Sequence, residues 1–460
     1  MSTINLEGKT PQAIFIEGDT LAVFGTEWVE DYGYNYDSVP FIKTAQTFTA
    51  QRIARPYYYP YIRTAYTFIK IYNVKNRSRP VLLKEFQVSG SYFEGRKLST
   101  GYMYLVTKYS FNYRRIVPWY DFGFGRVNIP FRKIFWYPWT YVRPSGINII
   151  SFNLANPLSE DRSVATFCAE DASIMYMSEK YIYLATNTYD GVDYTKVNKI
   201  YVYRNQIKPV ADTRVRGTTN NQFSLDESRR YLRIATSNLN GGIQSSNVFV
   251  LDFSLRLYGS LTGIAPSEKI YSCRYVGTRL YMVTFRQIDP FFVISLKNQK
   301  QPEILGELKI TGFSRFLYPY DEDTMIGIGR QADANGRQEG LKISVFDVSD
   351  PTNPKQSASF QLEEKYASST AEWEHKAFLL APEKNLMVIP GTMDFQGTKF
   401  NGAFAFYVSP TEITLRAAID HLSGPTDDFY KRGVERSLYI EELLYTKSKC
   451  LIKINQLGDF

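Results

Sequence analysis

Tyr231-Leu-Arg-Ile-Ala-Thr236, followed by Asn247-Val-Phe-Val-Leu-Asp-Phe253, is the stretch on which the fold turns. The first segment is an apolar run closed by a small hydroxyl residue. The second is rich in β-branched and aromatic side chains, and both compositions favour strands. The pair recurs along the chain. The runs LAVFG (ending at Gly25), MYLVT (Thr107), IYLAT (Thr186), LRIAT (Thr236), LYMVT (Thr284), MIGIG (Gly329), MVIPG (Gly391) and LYTKS (Ser448) follow one another at intervals of 82, 79, 50, 48, 45, 62 and 57 residues. Each precedes a second strand-like run, such as 68–74, 147–154, 199–205 or 341–348.

Most second runs lead into a turn rich in Asn, Asp, Ser and Pro, as in Asn73–Pro80 and Asp347–Pro354, and then a third run. Such residues bend the chain and interrupt ladders. A fourth run precedes each motif, as in SYFEGRKL and IYSCRYV. Four strands repeating at roughly 45–60 residues predict a propeller blade. No segment shows the sustained 3.6-residue periodicity of a helical solenoid. The expectation is therefore an all-β chain, a β-propeller of eight four-stranded blades forming one domain over 1–460, with seven blades as the alternative. The last unit lacks its final strand. STINL (2–6) is expected to supply it, closing the ring by pairing the N- and C-terminal strands and removing an exposed edge.

Composition supports the β assignment. The 36 Tyr, 31 Phe and 5 Trp make up 16% of 460 residues, and Lys plus Arg exceeds Asp plus Glu by 54 − 46 = 8. His375 and His421 are the two histidines, and Cys168, Cys273 and Cys450 lie far apart. No zinc spacing results, and three cysteines cannot form a closed disulfide set. The sequence contains no nucleophile elbow, phosphate-binding loop or HExxH motif, so no catalytic residue, metal or cofactor is expected. Asp333–Gly336 lacks the flanking oxygen ligands of a calcium loop and reads as a hairpin turn. His375 reads as a structural residue opening an apolar strand, and His421 as a loop residue. The start shows no export signal and no run is long enough to span a membrane. A cytoplasmic or particle-associated location is expected.

Several long ordered stretches resemble a family of β-propeller domain proteins, mostly secreted by bacteria and archaea and distantly akin to WD40 repeats. They are Asn221–Glu227 with Tyr231–Thr236, Gly263–Tyr271, Tyr281–Pro290, Tyr318–Asp321, Gly327–Arg330 and His375–Phe378. The likeness runs from about residue 67 to 447. It implies the fold and little about activity, because propellers host enzymes, lectins and scaffolds alike.

Two insertions, 27–66 and 108–146, interrupt neighbouring units between their second and third strands and are expected on one face. They hold 11 and 13 aromatic residues. Segment 27–66 balances its charges, whereas 108–146 sets Lys108, Arg114, Arg115, Arg126, Arg132, Lys133 and Arg143 against Asp121. Tyr, Trp and Arg are the residues enriched at interface hot spots. Candidate binding residues are Arg114, Arg115, Trp119, Arg132, Trp136, Trp139, Tyr58 and Tyr59. Arg286, Asp289 and Arg330 could line a channel mouth, Arg286 and Asp289 pairing locally. The functional expectation is a non-enzymatic binding or structural scaffold that engages a protein partner or assembly, or an anionic polymer or glycan, through this aromatic and basic face. Nucleic acid is disfavoured. The insertions could instead pack as a private core, and the alternative function is a carbohydrate-active enzyme or lectin using the channel mouth.

Overall fold

The computed structural model describes residues 3–31, 62–111, 117–136, 145–169, 172–240, 243–285, 289–332, 337–362, 364, 367–395, 398–421 and 429–460. These residues form eight antiparallel-based sheets, with one helical turn at Phe429–Arg432. The first sheet orders Ala13–Glu17, Thr20–Asp31, Ile62–Asn73 and Val81–Ser89 in sequence, and the second Ser91–Lys97, Tyr102–Ser110, Ser145–Asn153 and Arg162–Ala169. Five further sheets repeat this four-strand order, and the last holds three strands, Arg436–Ile440, Leu443–Lys447 and Ile452–Gln456.

The chain divides into two compact units, Met1–Thr186 with Asn198–Ala211, and Asn187–Val197 with Asp212–Phe460. Within the first, Tyr104, Val106, Ile147 and Ile149 pack against Ile182, Leu184, Ile200 and Val202, while Met103, Leu105, Ile150 and Phe152 fill a second cluster with Phe24, Ile69 and Phe86. Successive residues of one strand thus enter two different cores. That explains why the motif runs are continuously apolar rather than alternating: the strand is buried on both faces. Outermost strands do alternate, as Lys355–Gln361 shows with every second residue exposed.

The small residue closing each motif has a mechanical role. Thr107 Oγ1 donates to the carbonyl of Ser89 at 2.9 Å, and Thr67 Oγ1, from the preceding sheet, donates to the next carbonyl, Gly90 O, at 2.9 Å. The second unit repeats the arrangement, with Thr236 Oγ1 on Arg216 O (2.7 Å) and Thr195 Oγ1 on Gly217 O (2.8 Å). Both glycines have positive φ, 97° and 89°, and a Cβ on Gly217 would lie 2.7 Å from Ser237 O and 2.8 Å from Thr236 Oγ1. Where the motif ends in Gly329, the backbone closes further, and a Cβ there would meet the Phe313 carbonyl at 1.8 Å. A threonine that bonds the connection or a glycine that yields to it are two answers to the same contact.

Two expectations are altered. The strands bounding the first insertion extend into it, with Glu27–Asp31 paired in register with Ile62–Tyr66, because Trp28, Val29, Ile62, Thr64 and Tyr66 are strong strand formers. The remainder, 32–61, lies outside the described residues. Residues 3–6 belong to no strand. Ile4 and Leu6 pack instead against Val23, Phe68, Tyr72 and Val74, which provides their apolar side chains with a burial site that needs no strand pairing.

Gly217→Ala should destabilise the protein by about 2–3 kcal/mol, because a left-handed conformation and a steric conflict coincide there. Thr236→Val should cost about 1–2 kcal/mol by removing the hydrogen bond to Arg216 O, with Thr236→Ser recovering most of it. Denaturant midpoints test both, and a Val variant as stable as the Ser variant would contradict the role given to the hydroxyl.

Candidate functional site

The second insertion is annexed by the sheets beside it. Trp119–Asp121 joins the outer edge of the first sheet through Gln87 and Val88, and Val127–Asn128 adds a sixth strand. Between them Asp121 Oδ1 accepts from the backbone N–H groups of Gly123, Phe124 and Gly125 at 2.7–3.1 Å, folding a tight turn. A 3-10 turn, Phe131–Lys133, follows Pro130, whose fixed φ of −60° sets its entry. Ile134–Trp136 then runs parallel to Arg162–Ala169 as an edge strand of the second sheet, and Phe135 stacks on Phe167 with centroids 5.1 Å apart.

This path creates an open groove of about 510 Å³ within the first unit. Its walls are Arg132, Lys133 and Phe135 from the insertion, Arg162 and Ser163 from the adjoining strand, and Asn205–Lys208 from a hairpin. The hairpin is held from beneath by Ile207, which is buried in the core, while Arg204 takes the left-handed turn conformation at φ 52°. Arg162 is already neutralised. Its Nη2 contacts both Glu160 oxygens at 3.0 and 3.1 Å, and its guanidinium lies over Phe122 at 5.2 Å. Arg132, Lys133 and Lys208 form no ion pair among the described residues; Lys133 Nζ reaches Ser163 Oγ at 3.4 Å and Lys208 Nζ reaches Gln206 Oε1 at 3.1 Å. Among the described residues no carboxylate lines the groove, and three cations without an ion pair there share it with the Phe135 ring.

Of the sequence candidates, Arg132 lines the groove, and Trp136 stands beside it on the edge strand with 58% of its surface exposed. Trp119 is buried, its backbone N–H bonded to Ser89 Oγ, its ring against Tyr66 and beneath the Arg126 guanidinium at 4.2 Å. Its indole is therefore committed to the protein's own packing. Arg330 donates Nε to Glu372 Oε2 (3.0 Å) and Nη1 to Ala367 O (2.6 Å), and Glu372 is fully buried and also caps Ser369 N at 3.2 Å. This is an internal ion pair. Asp289 opens the strand Asp289–Ser295, its backbone paired with Ile310. Arg114, Arg115, Trp139, Tyr58, Tyr59, Arg286 and Asp333–Gly336 lie outside the described residues.

Sequence reasoning did not reach Asn205, Gln206 or Lys208, because nothing in the spacing says that this hairpin faces the insertion. His375 opens a 3-10 turn rather than a strand, with Gln222 Nε2 3.2 Å from its Nε2 and Phe223 edge-on. His421 lies in the connection just past the strand Glu412–Asp420 and is buried there, its Nε2 2.9 Å from Thr446 Oγ1, and burial, with Lys453 nearby, holds its pKa below the usual value. Among the described residues no His/Cys/Asp/Glu group could hold a metal, all three cysteines are free, and no helix is long and apolar enough to cross a membrane.

A family model described as a Beta propeller domain matches residues 1–460. An uncharacterized protein of Methanocaldococcus jannaschii is 34% identical over 263 residues, covering 56% of this chain and 38% of that one. An uncharacterized protein of Archaeoglobus fulgidus is 40% identical over 176 residues, covering 38% of this chain and 27% of the relative. The chain thus matches well under half the length of these relatives. The periplasmic gluconolactonase of Pseudomonas aeruginosa aligns over 67% of this chain and 87% of its own, at 12% identity and a TM-score of 0.41.

Trp119→Ala should lower stability by about 3–5 kcal/mol, the cost of emptying a packed aromatic site, and thermal melting measures it. Because His421 has a depressed folded pKa, the unfolded chain takes up its proton first. Stability should fall as pH drops below about 6.5, the ordinary histidine value. His421→Asn should flatten that part of the stability profile, and an unchanged slope would remove His421 from the account.

Proposed function

The chain belongs to the Beta propeller domain family, and on that premise we propose that it is a binding module for a partner carrying negative charge, engaged at the basic groove of the first unit. The observation that carries this reading is the set Arg132, Lys133 and Lys208, three cations without carboxylate partners around the open groove. Arg162 in the same groove is paired with Glu160, and elsewhere Arg233 is paired with Asp226 and Arg330 with Glu372. Phe135 inside the groove, with exposed Phe131 and Trp136 beside it, adds apolar surface on which a sugar ring or an acidic peptide can rest. Binding is favoured over turnover because the lining offers no carboxylate as acid or base. We also propose that the eight sheets are the eight blades of one propeller, which class averages viewed down the axis would count directly.

The test uses a sulfated polysaccharide and polyglutamate as probes, with affinity measured across a salt series. Two exposed charges and one partly exposed charge, worth about 0.5–1 kcal/mol each, imply that Arg132→Gln, Lys133→Gln and Lys208→Gln together weaken binding roughly 10–100-fold. The salt dependence should flatten at the same time, since exposed charges are screened beyond about 8 Å at physiological ionic strength. Equal salt slopes for wild type and the triple variant would refute the groove as the site. Release of reducing ends from the polysaccharide would replace binding by catalysis.

A further inference from the structure

Within the second unit, Arg274 is held unlike the paired arginines. It belongs to the strand Lys269–Val276. Its guanidinium lies 3.8 Å over the Phe223 ring, with Phe316 at 5.6 Å and Tyr318 at 5.4 Å. Nε donates to Leu317 O at 2.9 Å, and that is its one hydrogen bond among the described residues. It makes no ion pair there. Burial lowers its pKa to about 10, so it remains charged at neutral pH, and the titratable groups acting on it are a phenol, Tyr318, and a thiol, Cys273, rather than a carboxylate. Nη1 and Nη2 carry four N–H donors with no acceptor, and neither nitrogen is sealed from solvent.

The side chain is also rigidly presented. The Leu317 carbonyl fixes one edge of the guanidinium and the Phe223 face fixes its plane. Phe223 is itself seated by the 3-10 turn that Asn221 caps through its side chain at 2.9 Å. A cation held on aromatic rings keeps part of its electrostatic stabilisation without a counter-ion. The free edge of the fork therefore stays open for an anion, and its geometry matches two coplanar oxygens.

We propose that the Arg274 fork, seated on Phe223 and flanked by Phe316 and Tyr318, binds the carboxylate group of a small organic acid with an aromatic or apolar body. Charge balance selects the class. One cation meeting one carboxylate leaves the site neutral, whereas a phosphate dianion would leave a net negative charge in partly desolvated surroundings, which is costly. Phe223 and Tyr318 are partly exposed while Phe316 is buried, and the two partly exposed rings suit an apolar body more than a hydrated one. This site is independent of the basic groove, and a failure of either leaves the other standing.

Benzoate is the probe. The purified chain should show saturable benzoate binding by calorimetry with a dissociation constant on the order of 1 mM, and saturation transfer from protein aromatic protons to the benzoate ring. Inorganic phosphate at matched ionic strength should not displace it. Arg274→Gln should weaken benzoate binding at least tenfold, while Lys300→Gln, in an exposed turn, should leave it unchanged. If Arg274→Gln fails to fold, 4-bromobenzoate soaked into wild-type crystals decides the matter, since its bromine should be found beside Phe223. Absence of saturable binding, binding retained in a folded Arg274→Gln variant, equal displacement by phosphate, or bromine located elsewhere would each overturn the proposal.

Discussion

The recurrent constraint in this protein is a pair of adjacent backbone carbonyls at the junction between consecutive sheets. At Ser89–Gly90 and again at Arg216–Gly217 the chain leaves one sheet and enters the next through a residue of positive φ. Burying a carbonyl at such a bend without a donor would cost its desolvation penalty. A threonine from the sheet before and a threonine from the sheet after each donate to one of the two carbonyls. The bond therefore does more than satisfy an acceptor: it fixes the stagger of two sheets against one another. The side chains above and below can then interdigitate at crystal-like density. Asn148 adds to the first junction, with Nδ2 on Ser89 O at 2.7 Å and its oxygen accepting from Thr166 at 2.7 Å.

This arrangement clarifies what sequence could and could not convey. The motif is legible because a small residue, Thr107 and Thr236 among them, closes each run at the same place in the repeat, and the runs before it are mostly apolar for the same packing reason. Strand order within each sheet follows from those runs. The fate of Trp119 was not legible. An aromatic residue in a long polar-flanked insertion looks like a ligand platform, and only the edge pairing of Val88 with Tyr120 shows that its ring turns inward. Residues 3–6 misled for the opposite reason: Ile4 and Leu6 have the composition of a strand, yet apolar side chains can be buried without pairing their backbone. Lys208 was invisible because its partner Arg132 lies 76 residues away on a segment of no regular period.

The annexed insertion also shows how a propeller sheet can acquire an open, basic groove without loosening its core. The backbone of 119–136 is tied down at two edges, by antiparallel pairing to the first sheet and parallel pairing to the second. Edge strands are liabilities when left open, and charged residues beside them discourage pairing with other chains. Arg132 and Lys133 stand immediately before the edge strand Ile134–Trp136 and serve that end whatever they bind. A groove built on paired backbone is better defined than one built on a free loop, which lowers the entropy lost on binding.

The arginines of this chain divide according to how their charge is met. Arg330 belongs to an internal cluster in which the buried Glu372 meets it at 2.9 Å and Arg315 at 3.6 Å, so its removal would leave that carboxylate only the longer contact. Such pairs contribute geometric specificity more than net stability. Arg132, exposed and unpaired, costs the fold almost nothing and gives it almost nothing, so folding stability supplies no physical reason for its position. Arg274 falls between them: too enclosed to be indifferent, yet supported by rings instead of a carboxylate. A carboxylate at that place would have stabilised the fold by closing the fork. Its absence among the described residues leaves the donors exposed, and a free donor set beside aromatic walls is the kind of local incompleteness that a ligand can complete.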